Sequence, residues 1–310
     1  MKLRSKRPAD EGRLIQGVYY AYVVFSAVAR AIPERVAYGV AHLAGGWAAR
    51  RSGKAEQVAA NLSRITGAPA DSEEVRSLVV AAFRSYARYW LETFRLVREG
   101  PEFFRERLRP EGDHNIDAVL ARGRGAIVAV GHLGNWDAAG AWAAARGNTL
   151  VTVAEVLKPR RMFDFFADHR ARLGMTIFPA EPGVTERLVA SVQEGAVVAI
   201  LADRDLKGTG IPVTFFGEET TFPPGAASVA LRSGVPLLVA GVYAIELPGG
   251  KRGWQADISA PIELPDEPGP NAVAELTQQI ATHLEEYVRR RPEEWHVFQP
   301  FWIRDRKARP

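Results

Sequence analysis

Short apolar runs separated by helical stretches, beginning at Ala126 and recurring toward the C-terminus, restrict most what this chain can fold into. The first, Ala126-Ile127-Val128-Ala129-Val130, reads as a buried strand. Thr149 to Ala154, Met175 to Phe178, Ala196 to Ala202, Pro236 to Tyr243 and Trp254 to Ile258 read as further strands. Between them, Ala138 to Ala145, Pro159 to Leu173, Val184 to Gln193 and Asn271 to Arg290 read as helices, as does a segment opened by Phe222 to Gly225 and running to Arg232. The alternation predicts an α/β fold with a largely parallel central sheet flanked by helices. Charged residues recur where strands end: His132, Glu155 and Asp203. Open α/β sheets place their ligands at those ends.

The turn after the first strand, Gly131-His132-Leu133-Gly134-Asn135-Trp136-Asp137, holds a histidine and a carboxylate five positions apart. On one continuous helix that spacing would turn the side chains about 140° apart. With His132 on the turn and Asp137 in the first helical turn, the carboxylate reaches one imidazole nitrogen. It then fixes the tautomer and leaves the other nitrogen free to take a proton. The other reading of the spacing is a surface histidine beside a helix N-terminus with an acidic residue in its first turn.

Upstream of the alternation the chain is helical and aromatic. Lys2, Arg4, Lys6 and Arg7 precede an apolar stretch from Gly17 to Ala29, shorter than the roughly 20 residues a spanning helix needs. Val36, Val40, Leu43 and Trp47 continue the pattern at helical spacing without a clear small-residue cleavage site, which argues against a signal peptide. Tyr19, Tyr20, Tyr22, Phe25, Tyr38 and Trp47 are amphipathic aromatics of the kind that settle at a bilayer interface, and Arg50, Arg51 and Lys54 flank them. Residues 1–110 therefore read as an N-terminal helical region with two interfacial, membrane-docking helices, and 111–310 as the α/β core. A buried helical hairpin fits the same pattern, and both hold if one face meets protein and the other lipid. Asp71 or Ser72 caps a following helix in which Phe83, Tyr86, Tyr89, Trp90 and Phe94 recur as an apolar face.

Composition removes several chemistries. The chain has no cysteine, so disulfides, cysteine metal sites and a cysteine nucleophile are absent. A net charge of +4 suits an anionic partner such as phosphate or a lipid headgroup. The basic residues are spread out and interleaved with acidic ones, unlike the concentrated stripe of a nucleic-acid binder.

The block Gly131-His132 to Asp137 resembles the H-x4-D signature of glycerolipid and lipid A acyltransferases. Leu201-Ala202-Asp203-Arg204-Asp205-Leu206 and Phe215-Phe216-Gly217 resemble matching segments of the lipid A lauroyl/myristoyl acyltransferase superfamily. Thr152-Val153-Ala154-Glu155 and Pro292 to Pro300 are most similar to its actinobacterial branch, the phosphatidylinositol mannoside acyltransferases. The similarity spans nearly the whole chain. It implies an acyl-CoA co-substrate, no cofactor or metal, and a mannosylated phosphatidylinositol acceptor at the cytoplasmic face of the plasma membrane. It marks His132 as general base, Asp137 as its structural partner and Asp203 as the further acidic position, with Glu155 and Arg170 lining the site.

The chemistry fits these residues. A sugar hydroxyl attacks once a base accepts its proton, which neutral histidine does near pH 7. Attack on a thioester builds an oxyanion that needs donors, from backbone amides or a cation such as Arg170 or Arg204. Without a G-x-S-x-G elbow or a cysteine, direct transfer is simpler than an acyl-enzyme. Two other readings stay open. Asp203-x-Asp205 could hold a metal and a nucleotide-sugar diphosphate, as in a glycosyltransferase; otherwise Asp205 belongs with Arg204 among substrate-binding groups at that strand end. A non-catalytic lipid carrier would account for the N-terminal aromatics but gives His132 no task. An acyltransferase for another glycolipid or a lysophospholipid is the nearest variant. His42, His114, His169, His283 and His296 are read as structural.

Overall fold

The computed structural model describes residues 13–205 and 208–307. The basic start, Lys2 to Arg7, and Leu206 lie outside the described residues. Helices α1 (Arg13–Ala31), α2 (Glu34–Arg51), α3 (Ala55–Thr66), α4 (Glu73–Arg95) and α5 (Pro101–Arg107) precede β1 (Leu108–Glu111). There follow α6 (Asp113–Leu120), β2 (Ala126–Val130), α7 (Trp136–Ala145), β3 (Leu150–Ala154), α8 (Arg160–Arg172) and β4 (Met175–Pro179). Next come α9 (Val184–Gln193), β5 (Val197–Leu201), β6 (Ile211–Phe215), β7 (Glu218–Phe222) and α10 (Gly225–Ser233). The chain ends with β8 (Leu237–Leu247), β9 (Lys251–Ile258), α11 (Ala272–Arg290) and α12 (Ile303–Lys307).

Seven strands form one sheet in the order β1-β9-β8-β2-β5-β3-β4. The five from β8 to β4 are mutually parallel, as the alternation predicts. β2 is buried along its whole length because helices cover both sheet faces. The crossovers from β2 to β3 and from β5 to β8 run in opposite directions along the sheet. Right-handed connection therefore puts α7 on one face and α10 on the other, where α10 packs with α9 and α11.

Three features differ from the sequence expectation. β9 runs antiparallel to β8, and the sheet gains β1 alongside β9. The segment 211–222 is a hairpin outside the sheet, so Phe222 ends β7 and the helix begins only at Gly225. Its two-residue turn, Phe216-Gly217, has φ of 51° and 76°, the left-handed pair that matches the twist of hairpin strands. Phe215 of this hairpin is fully buried against Trp295, Phe301 and Trp302, so the hairpin serves as a clamp for the C-terminal tail.

The N-terminal helices are built into the body. Ser72 caps α4 by accepting a hydrogen bond from the Val75 amide. Val58, Leu62, Val75, Val79 and Phe83 of α3 and α4 belong to the same core as the sheet. At Gly45, α2 approaches α4 so closely that a Cβ would lie 2.6 Å from the Arg84 Cα. Tyr22 of α1 packs on Trp90, Phe94 and Phe166. The outward sides of α1 and α2 expose Tyr20, Val24, Phe25 and Val28, then Val36, Val40, Leu43 and Trp47, the last two at 72% and 63%. No helix of the described residues is long and apolar enough to cross a membrane.

Glu92 of α4 joins these parts. It is buried, and Tyr38 of α2 donates to its Oε1 at 3.0 Å. Asn135 Nδ2 and Trp254 Nε1 donate to Oε2 at 2.7 and 3.0 Å, and the Arg88 guanidinium stands 3.8 Å away. Removing the carboxylate leaves buried donors without an acceptor, which costs more than the bonds themselves contribute. Glu92→Ala should lower the unfolding free energy by more than about 2 kcal/mol. A denaturant titration giving less than half of that would mean that water replaces the carboxylate.

Candidate active site

Val130 of β2 faces Leu201 of β5 in register, and two residues further on both chains leave the sheet. That places His132 beside Asp203, a carboxylate 1% exposed. The imidazole Nδ1–H donates to Asp203 Oδ1 at 2.6 Å, and the His132 backbone N–H donates to Oδ2 at 2.9 Å. Trp295 Nε1–H donates to the same Oδ2 at 2.9 Å. A carboxylate can only accept, so Nδ1 carries the proton and Nε2 keeps its lone pair for a substrate proton. Among the described residues nothing hydrogen-bonds Nε2. Burial pushes the Asp203 carboxyl up, but the His132 ring and the three donors outweigh it and hold it below the ordinary carboxylate range.

The expected contact between Asp137 and His132 is not formed. Asp137 lies on the side of α7 that faces α4 and α8, and its Oδ1 accepts from Arg170 Nε at 2.7 Å. Its Oδ2 accepts from Arg170 Nη2 at 3.4 Å and from the Tyr89 hydroxyl at 3.3 Å. Sequence proximity put Asp137 next to the base; the parallel register puts Asp203 there instead. Arg170 is correspondingly committed to Asp137. Burial works against its charge, yet Asp137 and Tyr89 outweigh that and raise its pKa.

Glu155, just beyond β3, and Arg204, next to Asp203, both line the cavity described below. Asp205 turns away from Asp203. Its Oδ1 accepts from the Gly208 amide at 2.9 Å, and its Oδ2 accepts from the Gly210 amide and the Thr221 hydroxyl at 2.7 and 2.8 Å. It folds the loop that enters β6. Asp203 thus holds His132 and Trp295, whereas Asp205 holds the loop before β6 and the Thr221 hydroxyl.

A cavity of about 550 Å³ opens at His132 and runs between α7 and one face of the sheet. Val128 and Val130, Ala199 and Leu201, and Ala240 and Val242 line it, in each strand two residues apart and hence on the same face. The small residues of α7, Ala139, Gly140 and Ala143, form the opposing wall. Tyr86, Tyr89 and Trp90 of α4 close one side, so the aromatic face of α4 is core along part of its length and cavity wall along the rest. A narrow apolar space of this kind accepts a hydrocarbon chain with its polar end at His132.

The C-terminal tail supplies residues that the sequence reading left aside. Leu133 pairs with Trp295 in an antiparallel bridge, the Gly134 amide donates to the Glu294 carbonyl at 2.9 Å, and the His296 amide donates to the His132 carbonyl at 2.8 Å. The tail thereby fixes the turn that carries His132 from outside the sheet. His296, read as structural, is buried beside His132 and lines the cavity, with its ring 2.9 Å from the Ser85 hydroxyl. The run Pro292-Glu293-Glu294-Trp295-His296 was the available signal, since it matched a family segment without showing which atoms it would reach. Asn135 was visible as a polar residue before a helix, and its side chain caps α7 at the Ala138 amide.

A model of the bacterial lipid A biosynthesis acyltransferase family matches residues 10–304. A phosphatidylinositol mannoside acyltransferase of Mycobacterium tuberculosis is 35% identical, over 92% of this chain and 89% of its own length. Another, from Mycolicibacterium smegmatis, is 34% identical over 89% of this chain and 88% of its own. A crystal structure of the 1-acyl-sn-glycerophosphate acyltransferase of Thermotoga maritima matches with a TM-score of 0.37 at 15% identity, covering 66% of this chain and 86% of that one.

His296 generates a pH dependence. Burial, then the Arg88 and His132 charges, push its pKa well below the ordinary value. In the unfolded chain histidine takes a proton near pH 6.5, whereas the folded protein keeps this one neutral. Its contribution to stability is therefore fully present above about pH 6.5. It is lost as pH falls below that, by at most about 1.4 kcal/mol per pH unit. Buried His169, also lowered, adds in the same direction. Thermal unfolding followed from pH 7.5 to 5 should show a falling melting temperature, and His296→Asn should flatten the slope. Parallel curves for the two proteins would refute the assignment.

Proposed function

The chain belongs to the bacterial lipid A biosynthesis acyltransferase family, and we propose that it transfers a long-chain acyl group from acyl-CoA to a mannose hydroxyl of phosphatidylinositol mannosides. The observation that carries the chemistry is the His132–Asp203 pair, 2.6 Å apart, at the mouth of an apolar cavity. Family membership and the names of its relatives support the acyl-transfer class and the mannoside acceptor.

His132 Nε2 takes the hydroxyl proton as the sugar oxygen attacks the thioester carbonyl, and returns it to the departing thiolate. Asp203 holds the imidazole in the tautomer that leaves Nε2 free and offsets the imidazolium charge as it forms. Both substrates are bound together, and no acyl-enzyme forms. Asp137 acts at one remove, holding Arg170 in the wall beside Glu155. Arg204 is a cation for an anionic part of either substrate.

The reaction takes place at the cytoplasmic face of the plasma membrane, with the protein docked peripherally through the exposed sides of α1 and α2. Eight large apolar side chains there and the exposed Arg50, Arg51 and Lys54 suit an anionic lipid surface. Each such side chain adds up to about 1.5–3 kcal/mol if fully buried.

His132→Ala and Asp203→Asn should each lower kcat for acylation of purified phosphatidylinositol dimannoside by at least about 100-fold. Both should still bind the acyl donor, and a chelator should leave the wild-type rate unchanged. Full activity of the His132 variant would end this mechanism, and transfer only to lysophospholipid would change the acceptor. Leu43→Ser combined with Trp47→Ser should reduce binding to anionic vesicles about tenfold or more in a flotation assay. Undiminished flotation would place the docking surface elsewhere.

A further inference from the structure

Trp136, the first residue of α7, stands edge-on to the base, with ring centroids 5.2 Å apart and planes at 70°. Its other ring neighbours are Tyr89 at 4.3 Å and His296 at 6.1 Å. The indole lines the catalytic cavity, yet its Nε1–H is buried and meets no acceptor among the described residues. The other indole at this site is satisfied, since Trp295 donates to Asp203. A buried donor left unpaired costs about 1–3 kcal/mol, so a folded protein that keeps one beside its catalytic base calls for an explanation.

The reaction has a need of the matching kind. As the sugar C–O bond forms, the π electrons of the thioester carbonyl move onto its oxygen. When they return, the C–S bond breaks and the thiolate takes the proton held by His132. Between those events the oxygen bears a full negative charge close to the imidazole and needs a donor that is already in place. Arg170 is not available for this, because Asp137, itself held by the Tyr89 hydroxyl, neutralises and holds it. Arg204 also lines the cavity with its Nε unpaired, but it makes no ring contact with His132.

Resting on the acyl-transfer reading above, we propose that the Trp136 indole N–H is a catalytic donor to the oxyanion of the tetrahedral intermediate. A donor without a ground-state partner forms its bond only as charge develops. Such a bond lowers the barrier without tightening substrate binding.

Trp136→Phe keeps a six-membered ring against Tyr89 and His132 and deletes the donor together with the rest of the pyrrole ring. It should lower kcat about 100-fold, the loss typical of one oxyanion donor, with both KM values within threefold of wild type and the acidic limb of the pH profile unmoved. Binding supplies a second reading independent of the acceptor. Wild type should bind a trifluoromethyl ketone analogue of palmitoyl-CoA, which hydrates to a tetrahedral oxyanion mimic, at least tenfold more tightly than the thioether that lacks the carbonyl. The variant should bind the two alike. A variant with near-wild-type kcat, or one that raises only the KM for mannoside, would overturn the proposal, as would an analogue preference that survives the substitution. Wild-type transfer to no mannoside would instead remove the acceptor assigned above, while analogue binding still decides the role of Trp136.

Discussion

One buried carboxylate organises the reactive end of this molecule. Asp203 accepts three hydrogen bonds: two from His132, through ring and backbone, and one from Trp295. With its charge satisfied from three directions, it remains ionised although almost no water reaches it. The donors come from two distant parts of the chain: a strand end and a tail residue meet at a second strand end. If the carboxylate moved, the His132 ring would lose its fixed tautomer, its turn a backbone anchor and the tail its polar contact. A parallel register between two fully covered strands supplies the rigidity this requires.

The wall opposite depends on a second buried acid. Glu92 gathers donors from α2, from the cap of α7 and from β9, so one of the helices that carry the exposed apolar face and the helix that follows His132 share one polar anchor. α4 has three roles along its length: it closes the core, lines the cavity with Tyr86, Tyr89 and Trp90, and supports α1 and α2. A helix able to do all of this needs a broad aromatic face, as Phe83, Tyr86, Tyr89, Trp90 and Phe94 give it.

The sequence made the strands of the parallel sheet readable because buried parallel strands are continuous apolar runs. It also made His132 and Asp203 stand out as charged residues at strand ends. The pairing between them was not readable. The two are 71 positions apart, and only the strand order β2-β5 makes them neighbours, whereas Asp137 was close in sequence and took the expected role. The reversal of β9 escaped notice because a strand's direction leaves no mark on its own composition. The hairpin at 211–222 escapes assignment from sequence: Ile211 to Phe215 alternate, but Glu218 to Phe222 do not, and Phe222 reads as the opening of a helix. Trp295 and His296 were visible as residues, but their targets lie on the far side of the fold. Local chemistry survives in a linear reading; contacts made by long-range register do not.

The bridge from Leu133 to Trp295 bears on how the protein comes into being at the ribosome. Domains emerging from the exit tunnel generally organise from the N-terminus onward. β2, β5 and the base can meet once β5 and the strands around it have been synthesised. Trp295, the third donor to Asp203, is made 92 positions after it. Until that segment is released and closes over the turn, the nascent polypeptide holds its histidine beside a carboxylate that is one hydrogen bond short and open to water. Emergence of this segment is thus also the step that closes the turn around His132, and a product truncated before position 295 lacks that closure.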